Sequence, residues 1–117
     1  MAQGTHIIAD CYECNFSEIQ RLKMDGTKKY ISEIIKNHEL TELGAYYHSF
    51  GEDAFTGVVA LAESHISIHT WPELQFVTLD IYVCNVSKNN KESAFMIFEK
   101  FKELVQSKDI KTQIIER

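Results

Sequence analysis

The sequence predicts a two-layer α/β (α+β) sandwich, a mainly antiparallel sheet with two helices on one face. Three observations point there. In Phe76–Cys84, the aliphatic row Val77, Leu79, Ile81 and Val83 alternates with Phe76, Thr78, Asp80, Tyr82 and Cys84, the pattern of a strand with one buried face. Farther on, Ala94, Ile97, Phe98, Phe101, Leu104 and Val105 recur at helical spacing. The 117 residues suffice for one domain and one core, so two helices can cover only one sheet face.

Taken in order, Thr5–Cys11 reads as a first strand. A helical stretch follows from near Ser17 to about His38, with Asp25-Gly26 as a candidate break. Its second half carries Tyr30, Ile31, Ile34, Ile35 and His38 on one stripe. Leu43–Phe50 and Thr56–Glu63 read as strands around a turn at Gly51-Glu52-Asp53, followed by a strand within Glu63–Glu73 and then Phe76–Cys84. Asn89 or Asn90 can cap the second helix, and Ile110–Ile115 makes a last strand.

Composition narrows the function. A net charge of −5 without a clustered Lys/Arg stripe argues against nucleic acid or an anionic membrane as partner. No apolar run reaches the length of a signal or spanning segment, and three cysteines, an odd number, suit a reducing cytoplasm better than a disulfide framework. The expectation is a cytoplasmic protein.

The most informative run is Glu63-Ser64-His65-Ile66-Ser67-Ile68-His69-Thr70-Trp71-Pro72-Glu73. Ile66 and Ile68 alternate with His65, Ser67 and His69, so one face is ordinary core and the other carries titratable groups. His65 and His69 would stack on a helix, but on a strand they stand about 13 Å apart and cannot share a metal ion. No metal is expected. If Ile66 and Ile68 face the helices, alternation sets His69 and Cys84 together on the helix-free face. A serine hydroxyl is a weak nucleophile, and the nearest electrophile to Ser64 is the carbonyl of Glu63. Attack there, followed by loss of the Ser64 α-proton, would break the chain and leave a ketone on the new amino end.

This run, with a cysteine at the expected distance downstream, resembles the self-cleavage site of the prokaryotic S-adenosylmethionine decarboxylase proenzymes, which are pyruvoyl-dependent. The resemblance extends from about Gly4 to the C-terminus and is densest from Thr56 to Cys84. It implies cleavage between Glu63 and Ser64 into residues 1–63 and 64–117, with Ser64 the precursor of a covalent pyruvoyl group that forms a Schiff base with the substrate amine. It implies that His69 is the base in processing, that Cys84 is the proton donor in decarboxylation, and that Thr56 assists processing where relatives commonly carry serine. A free thiol ionises at about 8.5, so such a group can donate a proton at neutral pH. Phe50 resembles the aromatic that stacks on adenine, and Glu73 the carboxylate that takes the ribose hydroxyls.

The implied activity is decarboxylation of S-adenosylmethionine, supplying the aminopropyl donor for spermidine biosynthesis. Proteins resembling this family also decarboxylate arginine or ornithine, and pyruvoyl chemistry is indifferent to the amino-acid side chain, so that alternative stays open. Asn85 follows Cys84 where relatives often have glycine, a difference at the rim of the site. A homodimer is expected: the uncovered face carries Phe76 and Tyr82, with Tyr46 or Tyr47 and Phe50 nearby, an apolar patch that monomers rarely expose. Pairing two such faces gives a four-layer α/β/β/α body. The competing constellation is Cys11-Tyr12-Glu13-Cys14, a C-x-x-C between strand and helix, which would suit a thiol oxidoreductase.

Overall fold

The structure, a computed structural model, describes residues 3–16, 23–86 and 88–117. Six strands form one sheet: β1 Gly4–Tyr12, β2 Glu42–Gly51, β3 Ala54–Leu61, β4 Ser64–Trp71, β5 Phe76–Cys84 and β6 Asp109–Glu116. Helix α1 spans Met24–Asn37 and α2 Lys91–Val105. The spatial order is β2-β3-β4-β5-β1-β6, with every neighbouring pair antiparallel. The sequence-predicted fold class holds.

Alternation decides which side chains enter the core. Ile7, Ala9 and Cys11 of β1, Ile66 and Ile68 of β4, and Val77, Leu79, Ile81 and Val83 of β5 are buried under the helices. Against them pack Ile31, Ile34 and Ile35 of α1 and Ala94, Ile97, Phe98, Phe101, Leu104 and Val105 of α2. Phe101 is fully enclosed, and its truncation to alanine would cost about 3–5 kcal/mol. The two helices are joined where the Tyr30 hydroxyl donates to the Lys100 carbonyl at 3.0 Å.

Several boundaries differ from the sequence expectation. The expected helix start near Ser17 lies outside the described residues. Asp25 and Gly26 do not break α1 but occupy its first turn, where the Asp25 carboxylate complements the helix dipole. β3 ends at Leu61, because Ala62 and Glu63 form the tight turn into β4. Asn90 stands at the start of α2, but its side chain makes no cap bond; Asn89 Oδ1 accepts from the Lys91 N–H at 3.1 Å instead.

Of the two tyrosines on β2, Tyr47 turns to the helix side and packs against Phe55, while Tyr46 stays exposed on the open face. Gly57 makes this possible, since a Cβ there would collide with the Tyr47 ring lying across β3. On the open face, β4 and β5 align in rows: His65 beside Tyr82, Ser67 beside Asp80, His69 beside Thr78 and Trp71 beside Phe76.

Candidate active site

The sequence-predicted site residues fall into two clusters, one at each end of β4. At the first, Ala62 and Glu63 make a two-residue turn that brings Leu61 opposite Ser64. The turn docks on the lead-in to β2: the Ala62 N–H donates to the Thr41 carbonyl at 2.9 Å, and the Thr41 N–H to the Glu63 carboxylate at 3.0 Å. Ser64 has φ 153°, a backbone region that side-chain-bearing residues rarely enter and that costs about 1–3 kcal/mol. The carbonyl oxygen of Glu63, on the peptide just before Ser64, accepts a 2.7 Å hydrogen bond from the Cys84 N–H. A strained peptide whose carbonyl is polarised by a fixed donor is primed for attack. Cys84 is half-buried at the end of β5, with its Sγ 3.5 Å from the Val86 N–H, so it is not a core residue.

Beside this cluster the open face carries His6, His65 and Tyr82, with ring centroids 5.3–6.3 Å apart and the Arg117 guanidinium 4.8 Å from the Tyr82 ring. His6 Nε2 is buried without a hydrogen-bond partner. Desolvation lowers the His6 pKa, and Asp80 partly opposes that while His65 and Arg117 add to it.

At the other end, His69 Nδ1 and Thr56 Oγ1 lie 3.0 Å apart on adjacent strands. They line an open cleft of about 340 Å³ with Phe50, Ala54, Phe55, Thr70, Trp71 and Glu73. Phe50 is 67% exposed and is no core residue, and Glu73 sits in a 3-10 turn at Pro72–Leu74 beyond the end of β4. An aromatic row, His69, Trp71, Phe76 and Tyr12, bounds this end of the sheet, with successive centroids 6.1, 5.4 and 4.9 Å apart.

The fold therefore joins Glu63, Ser64 and Cys84, and separately joins His69, Thr56, Phe50 and Glu73, but it does not bring the two sets together. His69 follows Ser64 by five residues along a strand, about 16 Å. Sequence reading missed the contribution of Thr41, which reaches Glu63 only through the meeting of β2 with the β3–β4 turn.

The C-x-x-C pair is not a redox site. Cys11 and Cys14 are each 1% exposed, and the Cys14 thiol donates to the Cys11 carbonyl at 3.3 Å. Burial pushes their thiol pKa values up to about 12 and about 11, against the thiolate that disulfide exchange needs. Both are core residues at the end of β1. No helix among the described residues is long and apolar enough to cross a membrane.

The fold and the two clusters define a small enzyme built on an antiparallel sheet, with Thr56, His69 and Cys84 in the rows that face away from the helices. A family model described as S-adenosylmethionine decarboxylase matches residues 5–117. The chain is 42% identical over 103 residues to an S-adenosylmethionine decarboxylase proenzyme of Archaeoglobus fulgidus, covering 87% of this chain and 89% of that one. It is 36% identical over 114 residues to the proenzyme of the same name from a Sulfurihydrogenibium species, covering 97% and 81%. The crystal structure of an adenosylmethionine decarboxylase from Aquifex aeolicus superposes with a TM-score of 0.85 at 33% identity, covering 99% of this chain and 91% of that one. The chain belongs to the S-adenosylmethionine decarboxylase family.

Proposed function

We propose that this chain is a self-cleaving proenzyme that decarboxylates S-adenosylmethionine through a pyruvoyl group made from Ser64. The observation that carries the proposal is the Cys84 N–H held on the Glu63 carbonyl, at the peptide where Ser64 has its rare φ. In processing, Ser64 Oγ attacks the Glu63 carbonyl carbon, and negative charge develops on the oxygen that Cys84 already contacts. The C–N bond breaks, the hydroxyl proton passes to the Ser64 nitrogen, and an ester results. His69 takes the Ser64 α-proton, the Cβ–Oγ bond breaks so that the main-chain α-carboxylate of Glu63 leaves, and tautomerisation and hydrolysis release ammonia. The products are residues 1–63 and a 64–117 chain that begins with the ketone.

These residues suit that group: a thiol lies at the end of the strand beside the one Ser64 opens, and no bulky side chain replaces the serine. Once formed, the pyruvoyl group supplies the electron sink for loss of CO2. Cys84 is the residue that returns a proton to the substrate carbon. In the cleft, an exposed aromatic ring and a carboxylate, Phe50 and Glu73, suit the base and ribose hydroxyls of a nucleoside. That chemistry favours S-adenosylmethionine over arginine or ornithine.

A separation of about 16 Å along the strand keeps Ser64 and His69 of one chain from meeting in a single reaction. A homodimer resolves this. Two sheets packed face to face about a two-fold axis bring the Ser64 end of one protomer to the His69 end of its partner. The open face supports the pairing, since Tyr46, Phe50, Val58, Trp71 and Ile115 leave apolar surface uncovered there. Co-expression of Ser64→Ala and His69→Ala chains tests it. A mixed dimer keeps one intact serine facing one intact histidine, so the His69→Ala chain is expected to cleave only in the mixture. Failure of that rescue, with mixed dimers demonstrated, would overturn the shared site.

A further inference from the structure

β4 pairs with β5 only as far as Ser64 opposite Val83, so the Cys84 carbonyl has no β4 partner from the strand ladder. An amide fills the place. Asn90 Nδ2 donates to the Cys84 carbonyl at 2.8 Å. Asn90 is 3% exposed, and its side chain is free for this because Asn89 caps α2 in its stead.

Asn90 is braced in turn. Its N–H donates to Asn85 Oδ1 at 2.9 Å, and Asn85 Nδ2 donates to Thr5 Oγ1 at 3.1 Å. Thr5, fully buried, donates to the Glu116 carboxylate at 3.3 Å, and Lys91 Nζ lies 3.0 Å from the same carboxylate. Asn90 donates in both directions along this chain, and its own Oδ1 is buried without a hydrogen-bond partner. An unbroken polar chain thus runs from β6, through the start of α2, to the Cys84 main chain, whose N–H holds the Glu63 carbonyl.

We propose that Asn90, braced by Asn85, is a positioning residue for self-cleavage. By fixing the Cys84 backbone it aims the Cys84 N–H at the oxygen that becomes negative when Ser64 attacks. A donor preorganised at that oxygen lowers the barrier to attack, while a donor free to swing must be reoriented first. The inference rests on the self-cleavage proposed at Glu63-Ser64.

Asn90→Asp keeps the shape, but a carboxylate cannot donate to the Cys84 carbonyl. Conversion of the full-length chain into its two fragments, followed by mass spectrometry, is expected to slow at least about tenfold, because the Cys84 N–H loses the brace that aims it at the charge-bearing oxygen. The accumulated precursor should resist hydroxylamine, because the block precedes the ester. The precursor of His69→Ala should be split by it. A folded Asn90→Asp chain that cleaves at the wild-type rate, or that accumulates hydroxylamine-sensitive ester, overturns the inference. If melting shows Asn90→Asp unfolded, Asn85→Ala decides, since it removes the brace and leaves the amide. Slowing of about threefold is expected there, and a wild-type rate overturns the inference. Should the wild-type chain itself never cleave, the self-cleavage reading falls and this inference with it; that outcome is distinct because every variant then stays full length.

Discussion

At the Ser64 end of β4 the chain is held by main-chain hydrogen bonds around a rare backbone angle, and at the His69 end by side chains that leave an open, aromatic cleft. Both regions lie on one eight-residue strand. The first has a rare backbone angle beside a carbonyl held by a fixed N–H donor, features that suit bond breaking. The second has an exposed phenyl ring, an indole and a carboxylate around a cavity, features that suit holding a flat, polar molecule. The difference supports the proposed reading, in which one protomer carries two half-sites rather than one site. Strand geometry keeps them apart, and the proposed second copy is what would join them.

Removing the reactive atom at the first end gives the largest expected effect. Ser64→Ala should stay a single 117-residue chain under long incubation, as read by intact mass. Cleavage of that variant would break the comparison outright, by removing the special status of the strained end.

Next in size is the thiol. Cys84→Ala keeps the main-chain N–H on the Glu63 carbonyl, so it should still cleave at least partly. Its turnover should fall on the order of 100-fold or more, the usual effect of removing a general acid. Equal turnover in wild type and variant, measured as CO2 released per cleaved chain, would take Cys84 out of the decarboxylation.

The cleft end should respond through binding. Phe50→Ala is expected to self-cleave normally and to raise KM by about tenfold, the scale of a lost aromatic stack. A large fall in kcat at unchanged KM would instead tie Phe50 to the chemistry.

The smallest effect concerns His6, beside the Ser64 end. Burial lowers its pKa below the ordinary 6.5, so the folded chain binds this proton less readily than the unfolded chain does. Stability should therefore be full above pH 6.5 and drift down as pH falls through that value, because the unfolded state takes up the proton first. His6→Gln should flatten that part of the melting-temperature profile. An unchanged slope would show that other groups set it.

Much was legible in the sequence because it depends on local periodicity. The aliphatic row of β5, the apolar stripe of α2 and the alternation in Ser64–Trp71 fix which faces are buried, since neighbouring strand residues must point to opposite sides. The same rule set His69 and Cys84 on one face and excluded a shared metal for His65 and His69. The residue types in Glu63–Glu73 and at Cys84 identified the family, and with it the chemistry each side chain is suited to.

Tertiary structure alone decided what depends on residues distant in the chain. The contacts from Thr41 to Glu63 and from Cys84 to the Glu63 carbonyl arise where separate strands meet, and no local pattern encodes their register. Asn90 looked like a helix cap, yet its side chain serves the end of β5, because α2 starts directly beside it. Cys11 and Cys14 matched a redox spacing, and burial under α2 made them core. The sequence by itself determined which groups the protein possesses and which side of the sheet they take. Only the packed sheet decided which of them meet, because meeting requires long-range register, and spacing along one strand holds Ser64 and His69 apart however well their chemistry matches.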